Sequence, residues 1–126
     1  MTKEEKKKWL ENYRAEQKEL ARFAGEYGRM VDFERMIGND SAKTAKDARE
    51  EIRAEKIRLC RAVSRMLKHK RKIEQEIDLL EDGTQALILR YRYIDGLNWE
   101  EISEQLNYSF RTVHYMHNRA LQKIAT

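Results

Sequence analysis

The chain has 126 residues, with 26 basic residues against 22 acidic for a net charge of +4; 38% of residues are charged and 40% hydrophobic. With no proline and only five glycines, this composition argues against a large globular core and for long, solvent-exposed helices. The charge excess is too modest to indicate nucleic acid by itself, a lone cysteine (Cys60) excludes an intramolecular disulfide, and no apolar run approaches membrane-spanning length.

The first residues, MTKEEKKKWLENY, are charged and lack the apolar core of a secretion signal, so a cytoplasmic location with no membrane association is expected. From there Trp9, Tyr13, Glu16, Leu20, Phe23, Tyr27 and Met30 recur at alternating spacings of four and three, widened by Ala24 and Val31. A second ladder runs Ile52, Lys56, Leu59, Val63, Met66, Lys70, Ile73, Ile77 and Leu80. Both are heptad-like seams of helices that pack lengthwise, and the polar members Glu16, Lys56 and Lys70 set register at some cost in stability. Between the ladders, Gly38 suits a left-handed helix end, and Asp40 or Ser41 suits the next cap. The spacing predicts helices over about residues 3–37 and 42–81, joined as an antiparallel hairpin, the first about 50 Å long at 1.5 Å per residue. Residues 1–81 form the expected arm and 82–126 the expected second domain. So slender an arm suits dimerisation. Cys60 is expected as a buried or half-buried thiol. Arg65, Lys68, His69, Lys70, Arg71 and Lys72 cluster on the second helix; with Glu74 and Glu76 close behind, a solvated face is favoured slightly over a phosphate-facing patch.

Asp82-Gly83 breaks the second helix, and Thr84 is expected to cap a third that carries Ile88, Leu89, Tyr91, Tyr93 and Ile94. Asp95-Gly96 closes it. Asn98 with Glu101 three residues on forms a capping-box pattern, and Leu97 can staple onto Ile102. Ile102 and Leu106 face inward, Asn107 stands where a left-handed residue is required, and Ser109 caps a final helix with Val113, Met116, Ala120, Leu121 and Ile124 on its apolar side. Trp99 and Tyr93 are expected in the core. Two short amphipathic helices behind a third, joined by tight polar turns, are the layout of a helix-turn-helix. The early exposed part of its last helix meets base edges in the major groove. That assigns base contact to Arg111, Thr112, His114 and Tyr115, since arginine pairs bidentately with guanine and threonine offers a hydroxyl and a methyl. Phosphate contact falls to Asn98, Ser109, Asn118, Arg119 and Lys123, with Gln122 in reach.

Tyr91-Arg92-Tyr93, Asp95-Gly96-Leu97, Glu100-Glu101-Ile102 and Arg119-Ala120-Leu121-Gln122-Lys123-Ile124 make residues 84–126 resemble the fourth conserved region of sigma-70-type factors. That resemblance implies reading of an upstream promoter element. Phe110, His114 and Tyr115 stand where sigma factors usually carry charged or polar residues, so their promoter consensus does not carry over. The sigma region that melts DNA has no counterpart, and a basic hairpin takes its place. That combination resembles small phage- and prophage-encoded regulators of the ArpU and RinA type, which implies control of transcription; the expected partners are double-stranded DNA and, through the hairpin, a second copy of the chain or RNA polymerase.

His114 and His117, three apart, could share a metal, but no cysteine or carboxylate on that helix completes a site, so no metal or cofactor is expected. A histidine here is expected to bond a base or phosphate, or to face solvent. No nucleophile with a base and no phosphate-binding glycine loop is present, so no enzymatic activity is expected. Two alternatives stand beside the regulator: a coiled-coil adaptor that binds RNA polymerase without reading DNA, and a DNA-packaging subunit resembling a phage small terminase.

Overall fold

The structure, a computed structural model, describes residues 1–124. Its elements are α1 (Lys3–Ile37), α2 (Lys43–Asp78), α3 (Gly83–Leu89) running directly into a π-helical turn (Arg90–Ile94), α4 (Trp99–Leu106) and α5 (Phe110–Lys123). The fold is all-α: a long antiparallel helical hairpin followed by a helix-turn-helix. None of the helices is long and apolar enough to cross a membrane. Two compact units form, residues 16–67 and residues 1–15 with 68–126. The start of α1 and the end of α2 thus cluster with the C-terminal helices.

The first unit is the hairpin proper. α1 ends where Gly38 turns left-handed (φ 56°) and donates its N–H to the Glu34 carbonyl at 2.9 Å. Asp40 then accepts the N–H of Ala42 at 2.8 Å just ahead of α2. Arg49 returns to the Gly38 carbonyl at 3.1 Å and Lys56 pairs with Glu34 at 2.7 Å, so the polar member of the second seam finds its partner on the opposite helix. The seam closes incompletely. Within residues 16–67 only Ile52, Leu59 and Met66 are buried, whereas Leu20, Tyr27, Phe33, Met36, Ile57 and Leu67 remain exposed. Cys60, expected as a buried or half-buried thiol, is exposed, because it follows Leu59 by one residue and so turns about 100° away from the seam.

The second unit gathers Leu10 and Tyr13 of α1, Ile73 and Ile77 of α2, and the three C-terminal helices. Here Leu10 is wholly buried, while its neighbour Trp9, expected on the apolar stripe, is half-buried and stacks on His69 at 5.2 Å between ring centroids. Tyr13 meets the same imidazole edge-on at 5.5 Å, so His69 is packed between aromatic rings instead of facing solvent with its basic neighbours. In that basic cluster Lys70 lies 3.7 Å from Glu74 and Lys72 lies 3.0 Å from Glu76. α2 stops at Asp78, three residues before the expected end, and Leu79 is left exposed. Asp82, not Thr84, caps α3 by accepting the N–H of Gln85 at 3.0 Å; the helix starts at Gly83, two residues earlier than a Thr84 cap would allow. Ile88, Ile102 and Val113 form the centre of the helix-turn-helix core, with Tyr91, Leu97, Trp99, Leu106 and Met116 packed around them. Leu97 thus reaches the same cluster as Ile102, as a hydrophobic staple requires.

Candidate nucleic-acid interface

The geometry of the last two helices follows from local hydrogen bonds. Asn98 accepts the N–H of Glu101 at 2.8 Å and Glu101 accepts the N–H of Asn98 at 3.2 Å, a reciprocal box that satisfies two donors with no partner inside the helix. α4 ends at Asn107, left-handed at φ 55° and ψ 40°, and the following N–H of Tyr108 reaches back to the Ser103 carbonyl at 3.2 Å. The Ser103 hydroxyl donates to the Tyr108 carbonyl and ties the turn from the other side. Ser109 then caps α5, accepting from the Thr112 N–H at 3.2 Å, with its hydroxyl 2.9 Å from that of Thr112. Three residues, Asn107 to Ser109, thus set the angle between α4 and α5.

α5 is anchored by Val113, His117, Ala120 and Leu121, all buried. This leaves Arg111, Thr112, Tyr115, Asn118, Arg119, Gln122 and Lys123 on the exposed side. The helix carries three basic residues (Arg111, Arg119 and Lys123) and no carboxylate. The acidic residues of this part of the chain lie elsewhere, at Asp95, Glu100, Glu101 and Glu104. A near-neutral third of the chain therefore presents a helix whose charged residues are all basic. Tyr115 is 62% exposed, with the Arg119 guanidinium 5.9 Å from its ring centroid. Phe110 and Tyr108 are exposed at the start of the same helix. Large aromatic groups held in water at a helix start call for a partner.

The proposed contact residues do not stand alike. Arg111, Thr112 and Tyr115 share the open face of α5, although the Thr112 hydroxyl already engages Ser109. His114 is half-buried: its ring lies 4.4 Å from Trp99 and 4.3 Å from Phe110, and its Nε2 is buried without a hydrogen bond. Burial, aided by Arg92 and Lys7, holds its pKa below the ordinary histidine value. Asn118, Arg119 and Lys123 are exposed; Asn98 and Ser109 are exposed too, but their side-chain oxygens serve as caps.

His117 departs from expectation outright. It is 3% exposed, and its Nε2 lies 2.8 Å from the Tyr93 hydroxyl. It is a core residue and faces neither solvent, base nor phosphate. Burial depresses its pKa to about 3, with His114, Lys7, Arg92 and Lys3 pushing in the same direction. Burial likewise raises the Tyr93 pKa far above its usual value. Arg92 is a residue that sequence reasoning overlooked. Its guanidinium lies 4.4 Å over the Trp99 ring and donates to the Leu97 carbonyl at 3.3 Å, tying the π turn to the start of α4. Tyr93, four residues after buried Leu89, enters the core from that turn, which the Asp95 N–H closes onto the Arg90 carbonyl at 2.9 Å. No periodic signal marks it in the sequence.

Comparison with known families finds that residues 82–126 match the family model for Sigma-70, region 4. No curated protein and no solved structure matches the chain.

Proposed function

We propose that the protein is a sequence-specific DNA-binding regulator of transcription that lays α5 in the major groove. The observation that carries this reading is the exposed face of α5: basic, free of carboxylates, and begun by a serine cap on the turn of a sigma-region-4-like helix-turn-helix. In this reading Arg111 reads a base edge, Thr112 offers its methyl, and Tyr115 packs on a thymine methyl or a sugar. His114, held by Trp99 and Phe110, orients the start of the helix beside them. Asn98, Ser109, Asn118, Arg119 and Lys123 meet phosphates and set register without specifying sequence. A phage or prophage regulator that pairs with a second copy through residues 16–67 and engages RNA polymerase completes the proposal. Support for pairing lies in the hairpin itself, which buries three side chains and exposes six large apolar ones, too little core for a unit that stands alone.

Selection from a random duplex pool tests the reading. Enrichment of a defined motif, relaxed at one position by Arg111→Ala, is the expected result. Failure to enrich any motif would remove specific readout. A second reading, a protein-binding adaptor, is favoured by the exposed trio Tyr108, Phe110 and Tyr115. It predicts that Phe110→Ala abolishes RNA polymerase capture while DNA affinity stays constant.

A further inference from the structure

The first turns of α1 carry the run Lys3, Lys6, Lys7 and Lys8, to which the regulator reading assigns no role. Position in the fold makes it notable. Residues 1–15 belong to the same compact unit as the helix-turn-helix, held there by wholly buried Leu10 and by Trp9 and Tyr13 against His69. Lys6 extends to α5 and donates to the Gln122 carbonyl at 3.4 Å. Lys3, Lys7, Leu10 and Arg14 repeat at four, three and four residues, one face of the helix, and since Leu10 is in the core this face lies along the C-terminal helices. Burial agrees: Lys3, Lys6 and Lys7 are half-buried, while Glu4, Glu5 and Lys8 are exposed. The ammonium groups of Lys7 and Lys3 lie close enough to His117, and that of Lys7 close enough to His114, to help depress their pKa values.

Positive charge in the first turns of a helix opposes its dipole, so these lysines do not serve α1 itself. Neither Lys3 nor Lys7 is ion-paired among the described residues. Glu5 is engaged with Thr2, its N–H and carboxylate both bonded to that hydroxyl, and Glu11 is exposed one turn beyond Lys7. Two ammonium groups with no ion-pair partner among the described residues thus stand beside the helix whose charged residues are all basic.

We infer that Lys3 and Lys7 form a second DNA-backbone contact, gripping phosphates that flank the groove occupied by α5, while Lys6 locks α1 to the last turn of that helix. The contact rests on the DNA-binding reading and extends it: α1 becomes part of the nucleic-acid surface, and its contribution is independent of sequence.

The test is a salt titration of binding to a duplex of about three helical turns and arbitrary sequence. Wild-type chain, Lys3→Gln/Lys7→Gln, Lys3→Arg/Lys7→Arg and the exposed-face control Lys8→Gln are compared, with thermal melts to verify folding. Each phosphate contact contributes about 0.9 to the slope of log affinity against log salt, so the double glutamine variant is expected to lose about 1.8 from that slope. The double arginine variant and Lys8→Gln are expected to keep the wild-type slope. An unchanged slope in a folded double glutamine variant overturns the inference while leaving α5 as the DNA reader. An equal loss in Lys8→Gln also overturns it, since general charge and not position would then be responsible. Absence of salt-dependent binding by the wild-type chain overturns the underlying reading as well.

Discussion

His117 makes the helix-turn-helix unit acid-sensitive in a calculable way. A buried imidazole with a folded-state pKa of about 3, against about 6.5 when exposed in the unfolded chain, binds a proton on unfolding but not on folding. Its depressed pKa means that protonation favours the unfolded state. Stability is therefore full above the unfolded value and falls as pH drops from about 6.5 towards 3, by about 1.4 kcal/mol per unit in that window. Between pH 7 and pH 5 the expected loss is about 2 kcal/mol, or roughly 10 °C in melting temperature for a unit of this size. His114, also depressed by burial, adds to the trend in the same direction. The contribution of His117 is isolated by comparing the wild-type chain with His117→Gln at both pH values. Glutamine cannot titrate; the variant is less stable at pH 7, by about 1–3 kcal/mol, because its bond to Tyr93 is disturbed. Its further loss on going to pH 5 is smaller than that of the wild-type chain by about 2 kcal/mol. Trp9 and Trp99 both lie in this unit and report its unfolding by fluorescence. Parallel loss of stability in the two proteins from pH 7 to pH 5 would refute the assignment of a neutral, buried His117.

Three further outcomes follow from the geometry. Arg111→Ala is expected to cost about 1–3 kcal/mol of affinity for the selected duplex and to relax specificity at one base pair, read by repeating the selection with the variant. Asn98→Ala opens the capping box and is expected to destabilise the unit by about 1 kcal/mol in urea titration, whereas Asn98→Asp, which keeps the acceptor, stays close to wild type. Ile57→Asp, on the exposed side of α2, is expected to convert an oligomer into monomers in light scattering without unfolding the helix-turn-helix; a monomeric wild-type chain would remove the pairing proposal.

The parts of this protein legible in its sequence are those in which cause and effect lie within about four residues of each other. The Asn98–Glu101 box, the left-handed Asn107, the Ser109 cap, the Gly38 stop and the end of α1 at Ile37 are all settled by hydrogen bonds to near neighbours or by the conformational range of one residue. The apolar side of α5 was equally plain, since a helix repeats every 3.6 residues whatever it packs against. Periodicity gives a stripe, however, and not what covers it. Leu10, not Trp9, enters the core because the C-terminal helices lie beside the first turns of α1, and Cys60 stays in water because the hairpin closes on only one side of α2. Tyr93 meets His117 across 24 residues of chain, Arg92 comes to lie over Trp99, and Lys6 reaches the end of α5. Those pairings involve groups distant in sequence, and whether a histidine is a core residue or a DNA contact depends on the solvent and partners that only the assembled helices supply.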